Sequence, residues 1–353
     1  MEPSRRRRID CVARHLVAVG SSPAASGGRT LSETSLEFQE AEILCQSDIL
    51  FDAATYSAFP HVIRLQGDEL LLSLRQAPVT RSFHHAHPQS IVTVIRSYDA
   101  GGSWDLGGAT QVAAGGGQEL GLIYLGNGVV GGNLAAHEVV REMEAERAAG
   151  YAIEAGDESS QPDIVTAYSN QRASWVWSTN YGLTWPLENH LLLDPTDGPF
   201  ARSHSCSAPA LLSSGAICFA NYGDAGTGPL GGFQDGSGTT AALPISSVLF
   251  ISDDQGTTWT KPIVMAQGDT ATRGFCEPAV CETSPGNILA VYRVENEMQG
   301  QPRELWQNES CDGGHTWSDP RPMGLLAGAC ARLHMLADGR VLLVRSQHSI
   351  YLM

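Results

Sequence analysis

Short runs of apolar residues alternate along this chain with short polar or glycine-containing segments. Residues 61–65, 70–74 and 91–95 are three such runs, and a short turn containing Gly67 joins the first two. Brief runs rich in Val, Ile and Leu that are bounded by Gly, Asn, Asp or Ser indicate β-strands connected by hairpins. The same order of three strands recurs twice further along the chain. The pattern therefore predicts an all-β fold built from repeated units.

One polar motif, Ser-x-Asp-x-Gly-x-Thr/Ser-Trp, occurs four times, each time after a β-rich run. Its copies are residues 97–104 (SYDAGGSW), 178–185 (STNYGLTW), 252–259 (SDDQGTTW) and 310–317 (SCDGGHTW). The Asp, or Asn180 in the second copy, can accept hydrogen bonds from backbone N–H groups just ahead of it. The Gly supplies a backbone conformation that other residues reach only with strain, and the Trp is a large apolar anchor. We interpret the motif as a structural hairpin turn that pins one sheet to its neighbour.

Three strands, the motif and a short fourth strand form one four-stranded unit. Repetition of such units, with insertions of variable length, is typical of a β-propeller. We therefore predict radial antiparallel blades, in which the four motif tryptophans occupy equivalent positions on one outer rim. These tryptophans are Trp104, Trp185, Trp259 and Trp317.

Composition narrows the classes of function. The formal net charge of the 353 residues is −16, which disfavours binding to nucleic acids or to anionic membranes. No apolar run approaches eighteen residues, so we predict no transmembrane segment. The eight cysteines contain no Cys-x-x-Cys pair, and buried free thiols are expected. We predict neither a cofactor nor a structural metal.

The chain divides into a tail and one large domain. Residues 1–32 begin with an arginine run and continue into a Ser/Ala/Gly tract, which predicts a disordered or targeting tail. Arg14 interrupts the apolar stretch that a signal peptide needs, and the sequence favours a cytoplasmic location over an organellar or secreted one. Residues 33–353 form the propeller domain. An insert at about 134–157 is predicted to contain an amphipathic helix from Leu134 to Gly150.

The four motif copies resemble the Asp-boxes of the sialidase (neuraminidase) superfamily, and the repeated units resemble its blades. The resemblance covers residues 51–353 and implies a six-bladed β-propeller whose last blades are incomplete in this chain. Asp-boxes specify the fold well but the activity poorly, because non-catalytic propellers also contain them.

The resemblance also implies site residues. Glu277, which begins one inner strand, and Arg293, which ends the next strand, match the family's Asn-Glu … Gly-x-Leu … Arg stretch. In the family this Glu polarises a tyrosine nucleophile, and this Arg is one of three that bind the substrate carboxylate. A guanidinium can hold a carboxylate through two parallel hydrogen bonds. A surface ion pair without a catalytic role is the alternative.

Other family positions differ in this chain. The first carboxylate-binding arginine aligns with Ala58, and Arg64 and Arg75 are the nearby candidates to replace it. The loop expected to contain the acid/base Asp has no carboxylate, but it contains histidines at 84, 85 and 87. His87 is the candidate for proton transfer, because imidazole titrates near neutral pH. The same loop could instead bind a metal or be only solvated.

The last unit begins near Arg332, a further candidate for substrate binding, and no motif marks the late Tyr351 as a nucleophile. We expect either that a segment at residues 41–51 covers the edge of this last sheet or that the chain is a truncated product. Two main functions fit: a glycoside hydrolase acting on terminal sialic acid or another acidic sugar of glycoconjugates, or a non-catalytic propeller that binds glycans or proteins. A scaffold propeller without sugar affinity is a third alternative. The missing family residues predict that the chain is at best a weak sialidase.

Overall fold

The computed structural model describes residues 55–78, 89–113, 117–136, 174–193, 203–205, 207–224, 245–269, 273–295, 304–326, 330–345 and 349–352, together with four short strands elsewhere. Two of these short strands, β1 (Leu16–Ala18) and β2 (Phe38–Glu40), pair with each other. Sheet 1 comprises β3 (Thr55–Arg64), β4 (Leu70–Pro78), β5 (Ile91–Ser97) and β6 (Asp105–Ala113). Its strands are antiparallel and hydrogen-bonded in chain order, as expected for a blade.

Sheets 2 and 3 repeat this arrangement with insertions. Sheet 2 comprises β7 (Gly117–Gly126), β8 (Val129–Ala136), β11 (Ser174–Ser178) and β12 (His190–Leu192), and the pair β9 (Ala152–Glu154) and β10 (Thr166–Tyr168) lies in its insert. Sheet 3 comprises β13 (Ser203–Ser205), β14 (Ala210–Leu211), β15 (Ile217–Asp224), β16 (Ile245–Ser252) and β17 (Ile263–Ala266). Both β13 and β14 pair with β15, so together they occupy the place of one inner strand.

Sheet 4 is complete and sheet 5 has three strands. Sheet 4 comprises β18 (Gly274–Ser284), β19 (Asn287–Glu295), β20 (Glu304–Ser310) and β21 (Arg321–Leu326). Sheet 5 comprises β22 (Ala331–Met335), β23 (Val341–Arg345) and β24 (Ser349–Leu352). Within the described residues the fold is thus all-β and propeller-like with four blades, and the count of six blades stays a prediction.

Consecutive sheets pack face to face. One buried cluster joins sheets 1 and 2 through residues such as Val94 and Leu122, and another joins sheets 2 and 3 around Trp175. Further clusters join sheet 3 to sheet 4 and sheet 4 to sheet 5. The first strands of neighbouring sheets also lie next to one another, β3 beside β7 and β18 beside β22. This succession of shared cores is the radial packing that the repeat predicts.

The Asp-box hydrogen bonds confirm the predicted turn. In the third copy, Ser252 Oγ accepts a hydrogen bond from the Gly256 N–H at 2.8 Å, and Asp254 Oδ1 accepts one from the Thr258 N–H at 2.7 Å. Gly256 has a φ of 91°, in the left-handed region. Hydrogen bonds from Thr258 lower the pKa of Asp254 to about 2. The other three copies make the corresponding Ser and Asp (or Asn) bonds.

The motif tryptophans pack mainly where their own sheet meets the preceding one. Trp185, Trp259 and Trp317 each donate an Nε1 hydrogen bond to the carbonyl of their own box glycine, at 3.1, 3.1 and 2.9 Å. They contact the clusters that join sheets 1 and 2, 2 and 3, and 3 and 4, respectively. Trp104 packs on its own sheet, against Leu72, Leu74 and Ile95, and its Nε1 has no hydrogen-bond partner among the described residues.

The structure corrects one boundary. Leu134 was expected to begin a helix, but it lies in β8, because its backbone pairs with Ser174 of β11 and its side chain joins the core between sheets 1 and 2. The rest of the predicted helix, residues 137–150, lies outside the described residues, as does most of the predicted tail at 1–32. The helical structure within the described ranges is one 3-10 turn, Leu187–Asn189, and none of it could cross a bilayer.

Candidate functional site

A β-bulge positions Glu277 at the inner strand of sheet 4. Cys276 pairs with Arg293 and Ala279 pairs with Val291, so Glu277 and Pro278 are left out of the ladder. Pro278 has no N–H to donate, and Glu277 has a φ of 49°, an unusual value for a residue other than Gly. Bulges of this kind redirect a side chain away from the alternation of the strand.

The same bulge occurs in sheet 1. Ala58 pairs with Arg75 and His61 pairs with Ser73, which leaves out Phe59 and Pro60, and Phe59 has a φ of 53°. Arg75 in sheet 1 therefore occupies the register position that Arg293 occupies in sheet 4. The Arg75 side chain is buried, and its guanidinium carbon lies 6.0 Å from the centroid of the Tyr56 ring.

Glu277 and Arg293 form an ion pair. Arg293 Nη2 lies 3.0 Å from Glu277 Oε1, and Arg293 Nε lies 2.6 Å from Glu277 Oε2. The two side chains are only 10% and 13% exposed, so solvent screens their attraction weakly. A guanidinium that faces both carboxylate oxygens fixes the orientation of the carboxylate.

A second ion pair crosses between sheets that are far apart in the sequence. Arg332 Nη2, on β22 of sheet 5, donates to Glu119 Oε1, on β7 of sheet 2, at 3.0 Å. Glu119 is 6% exposed and Arg332 is 32% exposed. Because sheets 3 and 4 lie between these two in the chain order, this contact places the inner strands of sheets 2 and 5 on the same central region.

The two ion pairs share one electrostatic environment. Burial raises the pKa of Glu119 from 4.5 to about 7, the charge of Arg332 lowers this pKa, and the charge of Glu277 raises it. An interaction between the two carboxylates requires that Glu277 and Glu119 lie close enough to repel each other. Glu119, Glu277, Arg293 and Arg332 therefore form one cluster, which we call the central cluster.

His61 of β3 borders the central cluster. Its Nδ1 accepts a hydrogen bond from the Leu122 N–H at 3.0 Å, which links sheet 1 to sheet 2. Burial, with a smaller contribution from the positive charge of Arg332, lowers the pKa of His61 to about 4. His61 is therefore a neutral imidazole at physiological pH.

The remaining predicted residues lie elsewhere. Arg64 is at the opposite end of β3 from Ala58, where its Nη1 donates to the Gly67 carbonyl of the hairpin turn at 3.1 Å, so the structure does not bring it to the central cluster. His87 lies outside the described residues. Tyr292, beside Arg293, is buried in the core, where its hydroxyl donates to Asn308 Oδ1 at 2.6 Å, so it is not placed to be a nucleophile. In the described part of the chain, no group of three or more His, Cys, Asp or Glu could hold a metal.

Comparison with known families identifies the fold. Residues 159–351 match the family described as BNR repeat-like domain, and this match spans more than half of the chain. This chain belongs to the BNR repeat-like family. Its propeller-like arrangement and its structural neighbours show that it shares the fold of sialidases, as the Asp-box resemblance implies. No curated protein sequence matches the chain.

Solved structures share the fold of this BNR repeat-like protein at low sequence identity. A protein of unknown function from Dyadobacter fermentans has a TM-score of 0.65 and 22% identity, covering 84% of this chain and 76% of that one. A mutant of the NanB sialidase from Streptococcus pneumoniae has a TM-score of 0.52 and 15% identity, covering 84% of this chain and 59% of the sialidase. An α-L-arabinanase from Penicillium chrysogenum has a TM-score of 0.51 and 11% identity, covering 84% and 77%. The chain thus spans less than two thirds of the NanB sialidase.

Sequence reasoning missed two members of this site in the BNR repeat-like protein. Glu119 follows Gln118 at the start of an apolar run. A charged residue next to such a run is the sequence feature that could have indicated a site residue. His61 stands at the beginning of the first apolar run, directly after Pro60 of the bulge. Neither residue belongs to a recognised motif, so only the folded structure shows that they are neighbours of Arg332.

The pKa values of Glu119 and His61 predict opposing effects of pH on stability. Glu119 has a raised pKa, so its contribution to the free energy of unfolding is lost as pH rises from 4.5 to about 7. His61 has a lowered pKa, so its contribution is lost as pH falls from 6.5 to about 4. Between pH 4.5 and 6.5 the two effects oppose each other in the native protein.

Single variants of the BNR repeat-like protein should separate these effects. E119Q should become more stable as pH rises from 4.5 to 6.5, and H61N should become less stable, each by about 2–3 kcal/mol relative to the native protein. In H61N the amide oxygen can replace Nδ1 as the acceptor for the Leu122 N–H. Urea denaturation at pH 4.5, 5.5 and 6.5 measures the slopes. Parallel curves for both variants and the native protein would contradict the assignment.

Proposed function

We propose that this protein is a sialidase-like glycoside hydrolase that acts on a terminal acidic sugar, sialic acid or a related one, of glycoconjugates. The observation that supports the proposal is the central cluster, in which two carboxyl groups and two arginines from sheets 2, 4 and 5 lie together at the inner strands. Carboxyl groups in many glycosidases transfer protons or stabilise the oxocarbenium-like state, and arginines recognise an acidic sugar. Membership of the BNR repeat-like family is consistent with this reading.

Arg332 is the arginine best placed to meet the substrate carboxylate. Its side chain is 32% exposed, whereas Arg293 is 10% exposed and is already held by Glu277. The positive charge of Arg332 is therefore accessible from solvent, where it can attract an anionic ligand. Arg75, at the position equivalent to Arg293, is a second candidate for binding the acidic sugar.

Glu277 is the carboxylate proposed to act during bond cleavage. Hydrolysis of a glycoside passes through an oxocarbenium-like state in which positive charge develops on the sugar ring. A carboxylate that is already oriented by Arg293 can stabilise this charge without having to reorganise. Tyr292 cannot serve as the tyrosine that the family places beside this glutamate, because it is buried in the core.

A non-catalytic glycan-binding propeller is the second candidate. Two observations favour it: Ala58 stands at the first arginine position of the family, and Glu277 already engages Arg293 through both carboxylate oxygens. The expectation of weak sialidase activity rests on Ala58 and on the lack of a carboxylate in the loop at residues 81–87. Such a protein would bind acidic glycans through Arg332 and release nothing.

Release of a fluorophore from a fluorogenic sialoside, measured for the native protein and E277Q, tests the proposal. Calorimetric titration with the free acidic sugar measures binding by the same two proteins. Release that depends on Glu277 supports the hydrolase, and binding by both proteins without release supports the glycan-binding propeller. Absence of both release and binding would contradict both candidates.

A further inference from the structure

Glu119 is a buried carboxyl group whose setting no motif explains. It follows a register irregularity at the start of β7, where Gly117 pairs with Ala136 but Glu119 pairs with Ala135. Its side chain is 6% exposed, and its carboxyl group reaches across to Arg332, 213 residues away in the sequence. Burying a carboxyl group is costly, so such a residue in a sheet interior calls for a chemical reason.

Charged groups from the inner strands of sheets 4 and 5 act on Glu119. Arg332 on β22 donates a hydrogen bond to it, and Glu277 on β18 repels its negative charge. Arg293 on β19 partly neutralises Glu277, and His61 on β3 lies near Arg332. Burial outweighs the attraction of Arg332, so the neutral carboxylic acid is favoured up to about neutral pH. A carboxyl group that keeps its proton can act as a general acid toward the oxygen of a glycosidic bond.

We propose that Glu119 is the proton donor of the hydrolysis, and that Arg332 positions it. This inference rests on the proposed function. The Glu119 carboxylic acid transfers its proton to the glycosidic oxygen as the bond from this oxygen to the anomeric carbon breaks. The leaving group departs as an alcohol, and water adds to the anomeric carbon and loses a proton. Glu119 regains a proton from solvent, so the sum is glycoside and water giving sugar and alcohol.

The other described members of the site are poorer donors. Both oxygens of Glu277 face the guanidinium of Arg293, so this carboxyl group is already engaged in a salt bridge. His61 is neutral near pH 7, and its Nδ1 already accepts the Leu122 N–H, so it has no acidic proton to give. Among the described members of the site, Glu119 is the one whose surroundings favour the protonated carboxyl group.

The dependence on the leaving group tests the proposal. The probes are 4-methylumbelliferyl sialoside, whose leaving group needs little protonation, and sialyllactose, whose alcohol leaving group needs full protonation. We expect E119Q to lower kcat/KM by about 10²–10⁴-fold on sialyllactose and by less than about 10-fold on the aryl sialoside. For the native protein kcat/KM on sialyllactose should fall above about pH 7, and E119Q should lack this decline.

R332M is a second variant that retains Glu119. Because the charge of Arg332 lowers the pKa of Glu119, its removal should move the alkaline decline of kcat/KM to higher pH. The carboxyl ¹³C shift of Glu119, assigned by its loss in E119Q, should titrate near pH 7 in the native protein. A titration midpoint below pH 5 would overturn the proposal whatever the activity.

The outcomes separate this inference from the proposed function. If the native protein hydrolyses both sialosides and E119Q loses the same factor on each, Glu119 has a structural role and only the inference fails. If H87N rather than E119Q shows the loss confined to sialyllactose, His87 is the donor and the inference also fails. If the native protein releases nothing from either sialoside, both the inference and the proposed hydrolase fail.

Discussion

Replacing Glu277 by glutamine is expected to lower kcat/KM for a sialoside by about 10²–10³-fold, the usual effect of losing one preorganised electrostatic partner of the transition state. The substitution keeps the shape of the side chain and an oxygen that can accept the hydrogen bond from Arg293 Nη2. It removes the negative charge, so positive charge on the sugar ring is no longer stabilised. The guanidinium of Arg293 is then less neutralised, and affinity for the acidic sugar should be kept or increased.

Glu282 provides the matched control. It lies on the same strand, β18, but at the opposite end, where its carboxylate accepts hydrogen bonds from the Ser213 N–H at 2.6 Å and the Gly286 N–H at 2.9 Å. E282Q should therefore leave kcat/KM unchanged and affect only stability, by about 1 kcal/mol. Steady-state kinetics on a fluorogenic sialoside, with calorimetry for binding, compare the two variants. Equal activity of E277Q and the native protein would contradict a catalytic role for Glu277.

The local part of this structure could be predicted from sequence because its causes are local. In each Asp-box the Ser and Asp side chains bond to backbone N–H groups at most four residues ahead, as Ser252 does with Gly256 and Asp254 with Thr258. When such local contacts recur in the fold, they appear as a repeated motif in the amino-acid sequence. The hairpins and the ion pair of Glu277 with Arg293, on adjacent strands joined by one turn, follow for the same reason.

The central cluster depends on contacts between distant segments and could be predicted only in part. Arg332 was a candidate from its place at the start of a unit, but its partner Glu119 is 213 residues away and belongs to no motif. Only the closing of the sheets around one centre brings these residues together. The bulge that positions Glu277 could not be predicted from the sequence either, because a Glu-Pro pair in a strand pattern also fits an ordinary strand start.

The predicted helix at 134–150 shows how tertiary packing overrides a local pattern. Leu134 and Ala135 fit an amphipathic helical spacing, and both are also suitable for a buried strand. Pairing of β8 with both β7 and β11 satisfies their backbone groups and buries both side chains almost completely. The strand therefore extends through Ala136, and the pattern gave no signal for where it ends.

Replacing Gly131 by alanine is expected to lower the free energy of unfolding by about 1–3 kcal/mol through overpacking. A Cβ atom at Gly131 would lie 2.2 Å from Cζ2 of Trp175 and 2.3 Å from its Cη2, far inside contact distance. Trp175 cannot move aside easily, because its ring stacks on Phe219 at a centroid distance of 6.3 Å and packs against Trp259 at 5.0 Å. Gly256 also approaches the indole, since a Cβ there would lie 2.3 Å from Nε1.

Gly107 provides the control for the glycine-to-alanine change itself. A Cβ at this exposed position would meet only Asp105 Oδ1, at 3.5 Å, so G107A should change stability by less than about 0.5 kcal/mol. Urea denaturation of both variants measures the difference. The double variant G131A/W175F removes part of the opposing ring, so it should be less destabilised than the sum of the single changes. Simple additivity would show that the clash with Trp175 is not the cause, and the packing between sheets 2 and 3 would then need another explanation.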